Sequence, residues 1–288
     1  MTKNRRQKTG VTVTMPVSSF GYVLRHRNRY GLHYRNRKTK ERCTRVIPLF
    51  AFLLVLVYHP LSEASKTESY KDIPVKVIRE VSLPKGYHEG LFYDGENMWV
   101  SNGEGGNTWI VATATGSVIS EIEASGTFTE AITSAGEDGL WMTDWDDKKL
   151  HRIRIEAGKM INEYSVSLDP AHPAGVVYAG DDFYVVTWTR GLSGTKYHLL
   201  QMDKSGNVSR RLRIKGIHEP AHLAWDGASL WVTSWYSQRV YKIDVKSLDV
   251  LGSFRSPAPM STGITWDGEY LWITGTYADL YKVEVQES

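Results

Sequence analysis

Gly263-Ile-Thr-Trp-Asp-Gly-Glu-Tyr-Leu-Trp-Ile-Thr-Gly275 is an apolar run, a tight Asp-Gly turn and a second apolar run. Aromatic and β-branched residues on both sides of an Asp-Gly pair predict a β-hairpin. The phrase recurs as His222-Leu-Ala-Trp-Asp-Gly-Ala-Ser-Leu-Trp-Val-Thr-Ser-Trp235 and as Gly90-Leu-Phe-Tyr-Asp-Gly-Glu-Asn-Met-Trp-Val-Ser-Asn102. Looser copies span 131–145 and 175–188. The Asp-Gly pairs at 94, 226 and 267 are turn chemistry.

Each copy continues into a third apolar run, such as Val240–Val245 or Leu280–Val285, and four of the five into a fourth, such as Val118–Ile122. Four short strands per copy make a meander. The aligned aromatics Trp99, Trp141, Tyr184, Trp231 and Trp272 are 42, 43, 47 and 41 residues apart, the period of a propeller blade. These aromatics are expected to pack between blades. The fold class is therefore all-β, a five-bladed β-propeller over 75–288. Its fifth repeat stops after three strands, and Val75–Leu83, which alternates like a strand, is expected to pair with Leu280–Val285 and close the ring without an open edge.

The formal net charge is +3, unevenly spread. Residues 1–45 hold 13 Lys and Arg against Glu41, and residues 46–64 hold only Glu63, leaving 65–288 with a net charge of −8. An acidic domain lacks the electrostatic footprint of a phosphate binder, so no nucleic-acid partner is expected. The single cysteine, Cys43, lies in the leader, so the repeat domain forms no internal disulfide and no thiolate metal site.

Residues 1–64 read as a basic leader around the apolar run 46–57, which is short for a membrane span and suits a signal-peptide core. Ser62-Glu-Ala64 fits a cut after Ala64, and Met15 offers an alternative start. Without cleavage the run is an anchor. Either way the domain is expected to be secreted or extracytoplasmic, touching a membrane only through 46–57. Residues 65–74 read as a polar linker.

Residues entering the first strand of each blade crowd one mouth of a propeller: His88-Glu89, Thr129-Glu130, Pro173-Ala174, Pro220-Ala221 and Ser261-Thr262, with His172, His218, Glu219 and His222 close by. Histidines and carboxylates gathered there are groups that move protons near neutrality. Trp145, Trp188 and Trp235 end the second strands, matched by Gly103 and Thr276. Three indoles at one mouth line an apolar pocket, or else pack between blades. His218, Glu219 and His222 are metal-ligand types at a spacing that matches no familiar site. The histidines are otherwise loop and channel residues making ordinary hydrogen bonds.

Tyr87-His-Glu-Gly-Leu91 and Phe128-Thr-Glu-Ala-Ile-Thr133, with Thr274-Gly275 in the last repeat, resemble phrases of the five-bladed glutamine cyclotransferases of plants and bacteria, which turn an N-terminal glutamine into pyroglutamate. The likeness covers about 75–288. It implies a catalytic glutamate at Glu130, an aromatic wall at Trp145 and Trp235, and a metal-free mechanism with no cofactor. The expected substrate is a small peptide with N-terminal glutamine, and the expected state a monomer. Glu130 would shuttle a proton from the α-ammonium group to the leaving amide nitrogen. Glu89 would bind the ammonium group, with Trp188, His88 and His222 completing the substrate site. Three positions depart from the family pattern. Glu89 replaces a glutamine, Pro220-Ala-His-Leu223 stands where an asparagine is expected, and Thr276 replaces a lysine. Two other readings therefore stay open: a non-catalytic propeller binding a peptide, glycan or partner, and a metal-dependent lactonase or lyase.

Overall fold

The computed structural model describes residues 70–103 and 106–286. The leader, its apolar run, Cys43 and residues 65–69 of the expected linker lie outside the described residues. The chain divides into 1–62 and 63–288, and every described residue belongs to the second unit.

The described chain is all β apart from one 3-10 turn at Gly136–Asp138. The first meander is β2 (His88–Tyr93), β3 (Asn97–Asn102), β4 (Asn107–Ala112) and β5 (Val118–Glu123). The second is β6 (Thr129–Ser134), β7 (Leu140–Asp144), β8 (Lys149–Glu156) and β9 (Lys159–Ser167). The third is β10 (His172–Ala179), β11 (Asp182–Gly191), β12 (Gly194–Met202) and β13 (Val208–Arg213). The fourth is β14 (Pro220–Trp225), β15 (Leu230–Ser234), β16 (Arg239–Ile243) and β17 (Val250–Arg255). The last is β18 (Ser261–Trp266), β19 (Leu271–Gly275) and β20 (Leu280–Val285), and β1 (Val75–Val81) supplies its fourth strand.

β1 runs antiparallel to β20, with Val75 opposite Val285 and Val81 opposite Leu280, the expected pairing. The first two meanders share one eight-stranded sheet, which the repeat pattern does not foretell. The cause is local. β9 is nine residues long, and its first residue reaches β5 through a single parallel bridge, Glu123 to Lys159. A second difference concerns residues 70–74, read as the end of a linker. They lie along β17 instead: Ile73 N–H donates to Ser253 O and Ser253 N–H to Lys71 O, both at 2.9 Å. Arg239 pairs with Asp72 at 3.0 Å, and the Tyr70 and Tyr241 rings meet edge to face.

The repeated phrase has a mechanical basis. Asp94, Asp226 and Asp267 each accept at Oδ1 from the backbone N–H groups two and three residues on. At Oδ2 each accepts the indole N–H five residues on, from Trp99, Trp231 and Trp272, at 2.7–2.8 Å. The glycine after each aspartate has φ near +100°, open to it without a Cβ clash. The second meander lacks the aspartate, and there the Trp141 indole nitrogen is buried without a partner.

Successive sheets pack through the aligned aromatics, all 8% exposed or less. Trp99 packs with Ile132 and Met142, Trp141 with Phe183 and Leu200, Trp231 with Ile264 and Leu271, and Trp272 with Leu91 and Met98. The first strands also pack in order: β2 on β6, β6 on β10, β10 on β14, β14 on β18, and β18 on β2. Glycines set their spacing. A Cβ on Gly90 would stand 2.5 Å from Glu130 O, one on Gly175 2.6 Å from Ala221 O, and one on Gly263 3.1 Å from Glu89 O.

Candidate functional site

Each first strand carries one extra residue near its start, a bulge that turns the strand's lead-in away from its partner. The register slips between His88 and Leu91, Thr129 and Ala131, Pro173 and Gly175, Pro220 and Leu223, and Ser261 and Gly263. Aligned on these slips, Glu89, Glu130, Ala174, Ala221 and Thr262 share one level. Gly90, Ala131, Gly175, His222 and Gly263 form the next level in. Tyr87, Phe128, His172, Glu219 and Met260 form the level two positions out. Glu89 and Glu130 thus sit side by side on neighbouring strands, both buried, at 5% and 7% exposed. Thr262 donates to His88 O at 2.9 Å and ties the last sheet to the first at this level.

The outer level is fastened to the ends of the second strands by one repeated bond. Gly103 N–H donates to Tyr87 O, Trp145 to Phe128 O, Trp235 to Glu219 O and Thr276 to Met260 O, all at 3.0–3.1 Å. In the third sheet His172 pairs with Trp188 in the ladder itself. Gly103, Trp145, Trp188, Trp235 and Thr276 thus stand opposite the outer level of their own sheets.

Asp144, fully buried at the end of β7, fixes the run into Glu130. Its Oδ2 accepts from the backbone N–H of Thr127 at 2.7 Å and Phe128 at 3.0 Å. A Cβ on Gly126 would stand 2.0 Å from that oxygen. Asn102 and Ser234 hold the equivalent runs, through Tyr87 N–H and His218 O. Sequence reasoning passed over Asp144. The available signal was a polar residue in this column in Asn102, Asp144, Thr187 and Ser234.

Two of the three indoles come together. The Trp145 and Trp188 rings meet edge to face at 5.3 Å. His172 stacks on Trp145 at 4.8 Å with its Nδ1 on Trp145 O, and Tyr197 meets Trp188 at 5.1 Å. Trp188 Nε1 donates to Pro220 O at 2.7 Å, which joins this wall to the fourth sheet. Trp235 holds the matching place there and is half-buried. Burial lowers the His172 pKa and raises that of Tyr197.

The histidines divide by environment. His88 is buried, with Nδ1 2.9 Å from Ala278 O and Nε2 2.8 Å from Pro84 O. Burial pushes its pKa down, and a neutral ring has one N–H and serves one of these carbonyls at a time. His88 therefore ties the β1–β2 connection to the β19–β20 loop, and both nitrogens that would meet a substrate face backbone carbonyls. His222 occupies a level otherwise filled by glycine and alanine. Its Nδ1 donates to Ile264 O at 2.9 Å, and burial lowers its pKa to about 4. Its Nε2 is buried without a partner, 3.2 Å from where a Cβ on Gly90 would stand, two strands away in the packing order. His222 thus reaches past Ile264 on β18 towards Gly90 on β2, just inside the carboxylates. A cavity of about 160 Å³, lined by His222, Thr133, Tyr178 and Trp225 among others, lies on the same inner strands.

Among the described residues no three His, Cys, Asp or Glu groups are placed to hold a metal ion, so His218, Glu219 and His222 do not converge as a triad. His218 is exposed beside Tyr236. Glu219 is half-buried, and burial raises its pKa against the opposing charges of His218 and Arg190.

The model of the glutamine cyclotransferase family matches residues 51–285. No curated protein sequence matches the chain. Among solved structures, the glutaminyl cyclase of Myxococcus xanthus is similar, with TM-score 0.61 and 17% identity over 76% of this chain and 100% of that one. This likeness shows a shared fold. Virginiamycin B lyase of Staphylococcus aureus matches at TM-score 0.42 and 17% identity, over 69% of this chain and 66% of that one. The PQQ-bound aldose sugar dehydrogenase of Streptomyces coelicolor matches at TM-score 0.49 and 14% identity, over 74% of this chain and 98% of that one.

Proposed function

The chain belongs to the glutamine cyclotransferase family, and from that premise we propose that it converts the N-terminal glutamine of a peptide into pyroglutamate with release of ammonia. The scaffold in this reading is a five-bladed β-propeller closed by β1. Its support is the packing order of the five first strands, which returns to β2, and the β1–β20 pairing. The observation that carries the reaction is the level shared by Glu89 and Glu130, two buried carboxylates on adjacent strands below an aromatic wall.

The α-nitrogen attacks the side-chain carbonyl carbon, a C–N bond forms, and the bond to the amide nitrogen breaks. Glu130 takes the proton from the attacking nitrogen and hands it to the departing ammonia. Glu89 holds the α-ammonium group before attack, and Trp145, Trp188 and Trp235 hold the aliphatic part of glutamine. Because the reaction is intramolecular, positioning and one proton shuttle carry most of the catalysis. His222 closes the floor of the site, and His88 serves it from behind by fixing the strand that bears Glu89.

The protein works outside the cytoplasm as a monomer, delivered by its leader and either cut after Ala64 or held by residues 46–57. It needs no metal and no nucleic acid. A binding-only propeller is the second reading. Ala174 and Ala221 favour it, since they leave the third and fourth strands without a polar group at the carboxylate level.

The test is to incubate the purified protein with a Gln-initiated peptide, with and without a chelator, and follow ammonia. Release that survives the chelator is expected. Release abolished by chelator contradicts the metal-free mechanism, and peptide binding without release leaves the second reading.

A further inference from the structure

Tyr87, Phe128 and Met260 are apolar at the outer level, and the His172 ring lies flat on Trp145. Glu219 breaks the pattern. Three consecutive carbonyls hold it: His218 O accepts from Ser234 Oγ at 2.6 Å, Glu219 O from Trp235 N–H at 3.0 Å, and Pro220 O from Trp188 Nε1 at 2.7 Å. Its backbone has φ +46°, a left-handed conformation that it shares with Met260 at the same level of the last sheet. Its Oε2 is buried and has no hydrogen-bond partner. A rigidly held carboxylate with an unsatisfied buried oxygen is an acceptor waiting for a donor.

The levels give the donor's place. Glu219 stands two strand positions outside Glu89 and Glu130, roughly 7 Å at about 3.3 Å per residue. An extended peptide advances about 3.5 Å per residue, so with its first residue at the carboxylates the backbone N–H two residues on, that of the third residue, passes the outer level. Arg190, on the strand that carries Trp188 and two residues beyond it, His218 and the Tyr197 hydroxyl are the charged and titratable groups around Glu219. Two are basic and none competes as an acceptor anion.

We propose that Glu219 is a specificity-determining residue that accepts a hydrogen bond from the backbone N–H of the third residue of the substrate, two beyond the N-terminal glutamine, so that the site reads a peptide rather than free glutamine. This rests on the cyclisation reading, and it concerns binding of the peptide chain that stays attached to the new ring rather than the chemical step. The missing polar group at Ala221 is thereby offset one level further out on the same sheet.

The test compares Gln-Ala-Ala with its depsipeptide, in which an ester oxygen replaces the N–H between the second and third residues. Wild-type protein is expected to turn over the amide with about 10-fold higher kcat/KM, the value of one hydrogen bond to a charged group. Glu219→Ala should lose about 10-fold on the amide and change less than about 2-fold on the ester. Glu219→Gln, which keeps an acceptor oxygen, should recover part of the preference. Equal losses on both substrates, or no preference in the wild type, overturn the proposal. Quenching of the mouth tryptophans gives the same comparison as binding constants. Preference in binding without ammonia release contradicts cyclisation and leaves Glu219's role standing. Release without preference contradicts this role alone, and neither binding nor release contradicts both.

Discussion

His222 places an imidazole where four other strands have glycine or alanine, and it does so without charge. Its folded pKa of about 4 lies below the ordinary value near 6.5. The unfolded chain therefore takes up a proton that the folded one refuses as pH falls from about 6.5 to 4, and stability drops across that window. Urea midpoints measured from pH 7 to pH 4 should fall for the wild type, and fall less steeply for His222→Leu, which has nothing to titrate. Equal slopes would show that His222 is solvated in the folded state. Glu89, Glu130 and the three indoles were legible in the sequence because each falls at a fixed offset from a repeated phrase. The partner of His88 was not, since Ala278 lies 190 residues away and no local pattern encodes it. Glu219 was visible as a residue, but its unpaired oxygen and left-handed backbone depend on contacts with β11 and β15.

At the scale of the element, the Asp-Gly hairpin is held by a carboxylate that accepts two backbone N–H groups and one indole N–H. Burial pushes the Asp94 and Asp267 carboxyls up. The Asn97 backbone and Trp99 indole outweigh this at Asp94, and the Trp272 indole and Tyr270 backbone at Asp267, so both sit below the usual carboxylate range. A lowered folded pKa means that this support is complete above about pH 4, the unfolded value, and is lost as pH falls through the folded one. Asp267→Ala removes these three contacts and the 3.1 Å ion pair with Lys282, and is expected to cost about 2 kcal/mol, read from denaturant midpoints at pH 7, with the difference from wild type shrinking below pH 4. A variant as stable as wild type would mean that the indole finds water instead. The hairpins were readable because Asp-Gly turns are local chemistry. The bulges were not, since a bulge exists only relative to the register of the neighbouring strand.

Across the whole molecule, the meanders converge because small residues let the first strands approach. A Cβ on Gly90 meets backbone on β6, at Glu130 O and at Ala131 Cα, 2.8 Å away, and backbone has nowhere to retreat. Gly90→Ala should lower stability by about 1–3 kcal/mol and impair turnover beyond the stability loss, measured by thermal unfolding alongside kcat. Wild-type behaviour would mean that β2 and β6 are further apart than described. The period and the spare N-terminal strand foretold the pairing of β1 with β20, because an incomplete last repeat needs a partner. The bridge between the first two meanders and the docking of residues 70–74 on β17 depend on strand overhang and edge exposure, which repeat length does not report. In the proposed reaction Glu130 is the proton carrier. Its most direct test is kcat for pyroglutamate formation from one Gln-initiated peptide by wild type, Glu130→Gln and Glu89→Gln, with folding checked by thermal unfolding. The expected result is a loss of about 10²–10⁴-fold in kcat for Glu130→Gln and mainly a raised KM for Glu89→Gln. A folded Glu130→Gln protein that turns over at the wild-type rate would contradict it.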